Sequence, residues 1–293
     1  MGVMQTVKLG STNIRISAIG LGAMPLSLRG RPPEEEALRV IHRALDCGIT
    51  FIDTADAYCL NEDDKHHNER LLAKALDTYL GNTDSIRIAT KGGLLRPHGD
   101  WTNNGDPEYL KKTIRESFEA LGGKNPLFLW QYHSPDPQFR IEDSMAAVKE
   151  AVEEGFVQHV GVSNFSVSQI ERARSVLDIV SVQNAYNLWD REPERDGVLQ
   201  YCEDEKLTFF PWGPLGGSRR VHQLKKIPVL ATLATRKKTS PECLILAWLR
   251  SKSPCIVPIP GASRITSIEN SIRSLDVSLS PDESKMIDIL NKL

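Results

Sequence analysis

Long apolar runs are missing from this sequence. No stretch approaches the roughly 20 residues a bilayer-spanning helix needs, so no membrane segment is expected. Cysteines are few and scattered: Cys47, Cys59, Cys202, Cys243 and Cys255 include no CxxC pair. That pattern argues against a disulfide framework or a zinc site and for a reducing, cytoplasmic setting. Neither sign of charge dominates, with 36 basic and 38 acidic residues and a net charge of −2. No basic stripe is interleaved with aromatics, so no nucleic acid and no anionic membrane surface is expected as a partner. No positively charged N-terminal region precedes an apolar run, so no secretory signal is expected. Met1-Gly2-Val3-Met4-Gln5-Thr6 fits the short myristoylation pattern, but no polybasic second anchor follows. Linkers, charge blocks and low-complexity segments are absent too, which leaves a single domain over residues 1–293 as the expectation.

What is present is a rhythm. Gln5-Thr6-Val7-Lys8-Leu9 and Ile14-Arg15-Ile16 alternate in polarity around the turn cluster Gly10-Ser11-Thr12-Asn13, as a β-hairpin does. Eight short apolar runs follow: Ala18-Ile19-Gly20-Leu21-Gly22, Thr50-Phe51-Ile52-Asp53, and the runs at 86–91, 127–133, 157–163, 179–183, 207–212 and 256–259. Most are β-branched and nearly continuous in apolar character, as strands buried on both faces should be. Helical periodicity lies between them. Residues 34–47 follow Pro32-Pro33 with acidic residues first, Asp106-Pro107 opens a helix to about Leu121, and residues 141–154 stop at Gly155. Ser240-Pro241-Glu242 opens another helix. Eight strand–helix units behind a hairpin predict an α/β protein, a (β/α)₈ TIM barrel with an N-terminal β-hairpin.

In such a barrel the reaction site lies at the C-terminal strand ends. Those ends carry Asp53 with Tyr58 in the loop beyond, Lys91, His133, Ser163-Asn164, Gln183, Trp212-Gly213-Pro214 and Gly261-Ala262-Ser263-Arg264. Asp, Tyr, Lys and His at one mouth suit carbonyl reduction. The Lys91 ammonium is expected to lower the phenol pKa of Tyr58 from about 10, Asp53 to hold the lysine, and His133 to hydrogen-bond the substrate oxygen. Singly, Asp53 reads as well as a loop cap, and Tyr58, Lys91 and His133 as ordinary loop or strand-end residues.

Together the segments resemble the aldo-keto reductase family over essentially the whole chain. The resemblance rests on Gly48-Ile49-Thr50-Phe51-Ile52-Asp53-Thr54-Ala55-Asp56-Ala57-Tyr58, Ile88-Ala89-Thr90-Lys91-Gly92 and Gln131-Tyr132-His133-Ser134-Pro135-Asp136-Pro137. It rests also on Val160-Gly161-Val162-Ser163-Asn164-Phe165 and Val257-Pro258-Ile259-Pro260-Gly261-Ala262-Ser263-Arg264. It implies a catalytic tetrad of Asp53, Tyr58, Lys91 and His133, and an NADPH/NADP+ site without a Rossmann fold. Ser163, Asn164 and Gln183 would hold the nicotinamide carboxamide, Trp212 would stack on its ring, and Gly22 would admit it beside Met24 and Asp53. Gly213, Leu215 and Gly216 would border the pyrophosphate, and Gly261, Ser263, Ser267, Asn270 and Ser271 the adenosine end. Arg264 would pair with the 2′-phosphate, against the plain reading of a solvated arginine.

Three features depart from that pattern. Cys59 follows Tyr58 where glycine is common, and is expected to be inert. His66-His67 invites a metal, but no HxH or HExxH spacing supports one, so no metal is expected. Residues 213–225 lack a helical pattern and read as a loop over the pyrophosphate, with Arg219 and Arg220 near it. The alternative to an NADPH-dependent reductase of a small-molecule aldehyde or ketone is an NADPH-binding regulatory subunit of the same fold with little turnover. Substrate choice is expected to lie in loops 24–31, 96–104 and 187–194, where Trp101 and Trp189 stand as pocket candidates. Oligomeric state is not legible.

Overall fold

The structure, a computed structural model, describes residues 4–292; the first three residues of the myristoylation pattern lie outside it. The alternating N-terminal segment forms the antiparallel pair β1 (Thr6–Lys8) and β2 (Arg15–Ser17), with Val7 opposite Ile16. Seven parallel strands then follow: β3 (Leu21–Gly22), β4 (Phe51–Asp53), β5 (Arg87–Gly92), β8 (Leu127–Tyr132), β9 (Val157–Ser163), β10 (Ser181–Gln183) and β11 (Thr208–Phe209), each paired with the next. Between β5 and β8 a small antiparallel excursion, β6 (Leu94–Leu95) and β7 (Thr102–Asn103), rises from the strand end.

The eighth run closes the barrel without forming a ladder. It meets its neighbours at single bridges, Phe209 with Ile256 and Gly22 with Gly261. Val257 N–H donates to Phe209 O at 2.9 Å, and Gly20 and Gly22 N–H donate to Pro258 and Pro260 O at 2.9 and 3.0 Å. Pro258 and Pro260 have no N–H to return, so half of the pairing is chemically unavailable. The seam is tight: a Cβ on Gly22 would lie 2.7 Å from Ile259 O.

The helices follow from periodicity and capping. In α1 (Glu34–Asp46), Ala37, Val40, Ile41, Ala44 and Leu45 recur at helical spacing and are buried, while three glutamates occupy the positive N-terminal turn. Asp106 accepts from Tyr109 N–H at 2.8 Å to cap α3 (Pro107–Ala120), and Ser240 accepts from Cys243 N–H at 3.1 Å to cap α10 (Pro241–Lys252). Further helices are α2 (His67–Thr78), α4 (Ile141–Glu153), α5 (Val167–Arg174), α6 (Glu192–Arg195), α7 (Val198–Asp204), α8 (Gly217–Arg220), α9 (Pro228–Lys237), α11 (Ile265–Arg273) and α12 (Pro281–Asp288). Residues 213–225, expected to be loop, instead hold a short helix at Gly217–Arg220 and a 3-10 turn at Val221–Lys226. Gly216 and Gly217, at φ 79° and 68°, supply the left-handed start that the apolar pattern cannot reveal.

One end of the barrel is plugged. Leu9 and Ile16 from the hairpin pack with Phe51, Ala89, Leu129, Val180, Phe210, Val257 and Ile259, and Phe51 stacks on Phe210 at 4.6 Å. Gly10 (φ 52°) passes so near Val180 that a Cβ would lie 2.5 Å from its carbonyl oxygen. The hairpin thus fills the N-terminal end of the barrel, and the polar residues gather at the C-terminal strand ends.

Candidate active site

Asp53 ends β4, Lys91 sits in β5 and His133 follows β8, so three neighbouring strands aim these side chains at one point. Tyr58 arrives from the loop after β4. Lys91 is fully buried, and its Nζ donates to Asp53 Oδ2 at 2.8 Å, Thr54 O at 2.8 Å and Tyr58 OH at 2.9 Å. An ammonium has three protons, and each has an acceptor. Because Tyr58 accepts from Lys91, its own hydroxyl proton is left free for another partner. Asp53 Oδ1 accepts from Gln183 Nε2 at 2.8 Å, so both carboxylate oxygens are engaged.

The electrostatics correct one sequence expectation. Burial pushes the Tyr58 phenol above its ordinary value; Lys91 opposes this, but Asp53 and Asp56 add negative charge and the phenol stays protonated. Burial acts to lower Lys91, and Asp53 and Tyr58 outweigh it, so the ammonium is retained. The pair thus rests as a neutral phenol beside a cation, ready to stabilise the phenolate after a proton leaves.

His133 packs edge-on to Tyr58, with ring centroids 5.8 Å apart. Burial and then Lys91 hold its imidazole well below the ordinary value of about 6.5. Its Nδ1 is buried without a hydrogen-bond partner among the described residues. A neutral ring has one N–H to offer a substrate oxygen. The sign of the linkage is definite: at acid pH the unfolded chain binds a proton that the folded protein refuses. Stability is complete above about pH 6.5 and is lost as pH falls below it. Relative to His133→Gln, the wild type should lose up to about 1.4 kcal/mol per pH unit there, read from urea unfolding at stepped pH. Parallel curves for the two proteins would contradict this.

The loop carrying Tyr58 is pinned by residues the sequence reading passed over. Asp56 is wholly buried, accepts from Thr113 Oγ1 at 2.6 Å and lies 3.4 Å from Lys65 Nζ, while its backbone N–H donates to Lys91 O. Thr54 Oγ1 donates to Asn68, whose Nδ2 donates to Ala23 O at 2.9 Å and Ser27 Oγ at 2.6 Å. Asp56 lies inside a motif the sequence displays; its burial was the missing signal. Cys59 is buried, and its thiol is pushed up to about 12 by that burial. The adjacent histidines turn to different partners, His66 to Glu69 at 2.5 Å and His67 to Ser27 at 2.7 Å.

A family model described as Aldo/keto reductase family matches residues 18–292. The chain belongs to the aldo-keto reductase family. A Schizosaccharomyces pombe protein described as uncharacterized oxidoreductase C215.11c is 33% identical over 288 residues, covering 97% of this chain and 89% of that protein. The crystal structure of a thermostable aldo-keto reductase, Tm1743, in complex with the inhibitor epalrestat superposes with a TM-score of 0.82 at 29% identity, covering 98% of this chain and all of that one. The holo aldo-keto reductase AKR11C1 from Bacillus halodurans has the same fold, with a TM-score of 0.79 at 23% identity over 98% and 96% of the two chains.

In this aldo-keto reductase the remaining candidate residues divide between the strand ends and α11. Asn164 (φ 62°) donates from Nδ2 to His133 O at 2.9 Å and to Ser163 Oγ at 3.3 Å, and accepts from Trp212 Nε1 at 2.9 Å. The half-exposed Trp212 ring is thereby fixed. Gly22 and Gly261 meet at the barrel seam, with Met24 exposed beyond them. Gly213 and Gly216 take left-handed conformations around half-buried Leu215. Arg264 is the N-cap residue of α11, whose first amides no side chain caps, and its guanidinium is exposed and unpaired among the described residues. Ser263 and Ser267 are half-buried nearby. Asn270 is turned toward α10, accepting from Ser240 Oγ at 3.0 Å, and Ser271 is buried.

Proposed function

We propose that this oxidoreductase reduces an aldehyde or ketone to an alcohol using NADPH, with Tyr58 as proton donor. The observation that carries the reading is Lys91 Nζ held at 2.9 Å from Tyr58 OH and 2.8 Å from Asp53 at the C-terminal strand ends. When bound, the nicotinamide supplies hydride to the carbonyl carbon. Tyr58 gives its free hydroxyl proton to the substrate oxygen, and Lys91 stabilises the phenolate that remains. Neutral His133 orients the carbonyl through its N–H. Asp53 keeps Lys91 charged, and Gln183 keeps Asp53 in place.

The chain's own residues fit such a cofactor. Trp212 offers a flat ring locked by Asn164. The uncapped N-terminus of α11 and the free Arg264 guanidinium suit a phosphate group. Arg264→Ala should weaken NADPH binding by about 10–100-fold while NADH binding changes far less. Fluorescence titration with both nucleotides measures this, and equal weakening would reject the 2′-phosphate role.

No described helix is long and apolar enough to cross a membrane. A regulatory subunit with little turnover would keep the same contacts. A panel of aldehydes and ketones, read at the nicotinamide band, tests the reductase: turnover of at least one carbonyl is expected, and silence across the panel would favour the regulatory reading.

A further inference from the structure

The excursion after β5 places two side chains together above the site. Leu95 pairs with Thr102 across its strands, so Arg96 and Trp101 are the next residues on each side. The Arg96 guanidinium lies over the Trp101 ring, 3.8 Å from its centroid. Trp101 in turn stands edge-on to both Tyr58 and His133, at 6.4 and 6.3 Å between centroids. One indole therefore separates the guanidinium from the two rings that face the carbonyl.

Arg96 is only 7% exposed, yet Nε and Nη1 have no hydrogen-bond partner among the described residues. No described carboxylate pairs with the guanidinium. The nearby Glu62 carboxylate instead accepts the Arg96 backbone N–H. Stacking on indole compensates a buried cation only partly. Leaving buried donors unpaired forfeits their hydration without return, so native proteins rarely tolerate it without a partner. The guanidinium fork is planar and matches two oxygens of a carboxylate or a phosphate.

We infer that Arg96, walled by Trp101, is an oxyanion anchor that selects carbonyl substrates carrying a carboxylate or phosphate about one indole width from the reacting carbon. This rests on the reductase reading for the position of the carbonyl, but the anchor itself is a binding property. Trp101 would set the distance between the two ends of the substrate, and Arg96 would fix one end so that the other meets Tyr58.

The test has a binding arm and a kinetic arm. By calorimetry on the full chain, benzoate or phenyl phosphate should bind at least about tenfold more tightly than neutral benzamide, and Arg96→Met should remove that preference. The two anions show which oxyanion is preferred. In turnover, the ratio of kcat/KM for 4-carboxybenzaldehyde over benzaldehyde should fall about thirtyfold in Arg96→Met, chiefly through KM. Absence of anion preference in the wild type, or a preference that survives in Arg96→Met, would overturn the anchor. The wild-type comparison decides even if the variant folds poorly. Failure to reduce either aldehyde would strike at the reductase reading alone, because the calorimetry still decides the anchor.

Discussion

Tyr58→Phe is expected to lower carbonyl reduction by about 10²–10⁴-fold while NADPH binding stays near the wild-type value. The substitution removes one hydroxyl and leaves the ring packed against Trp101 and His133. Lys91 loses one of its three acceptors and keeps Asp53 and Thr54. The loss should therefore appear in kcat, with little change in cofactor affinity. Because burial raises the phenol pKa, wild-type turnover should not decline through loss of the Tyr58 proton until pH exceeds the ordinary phenol value of about 10. A decline at neutral pH that disappears in Tyr58→Phe would mean that Lys91 outweighs burial.

Lys91→Met should damage both activity and stability. The methionine matches the lysine in length but cannot donate, so Asp53 stays buried with Gln183 as its remaining partner. Removing one member of a buried ion pair costs about 3–5 kcal/mol, far more than an exposed pair would. Denaturant unfolding should show that loss in the single variant. Adding Asp53→Asn should recover part of it, since an amide needs no counter-ion. A Lys91→Met protein as stable as the wild type would show that the carboxylate does not depend on the ammonium. Turnover should fall at least as far as in Tyr58→Phe, since the phenolate would lose its stabilising charge.

Most of the barrel was legible because buried parallel strands advertise themselves as short β-branched runs ending in polar residues. Run 157–163 coincides with β9, and the caps at Asp106 and Ser240 lie where the sequence put them. The eighth run was legible as apolar but not as a seam of isolated bridges, which depends on what Pro258 and Pro260 cannot donate. The convergence of Asp53, Tyr58 and Lys91 followed from their places at strand ends. The direction of the Tyr58 shift did not, because burial is a property of the packed mouth and has no signature in spacing. Asp56 and the Arg96–Trp101 stack stayed hidden for a related reason. Each gains its meaning from a partner that folding brings to it, Thr113 on α3 and Lys65 at the far end of the same loop in one case, and the facing residue of the small hairpin in the other. The short helix after Gly216 was hidden by left-handed glycines, which read equally as loop.

The proposed reduction turns on a lysine-supported phenol at the strand ends that protonates a carbonyl oxygen. The most direct measurement mixes NADPH-loaded protein with excess aldehyde and follows the nicotinamide absorbance through a single turnover, in the wild type and in Tyr58→Phe. Rapid, complete loss of absorbance is expected in the wild type and almost none in the variant at equal cofactor occupancy. Persistent absorbance in the wild type, or loss at the same rate in both proteins, would rule out Tyr58 as the proton donor.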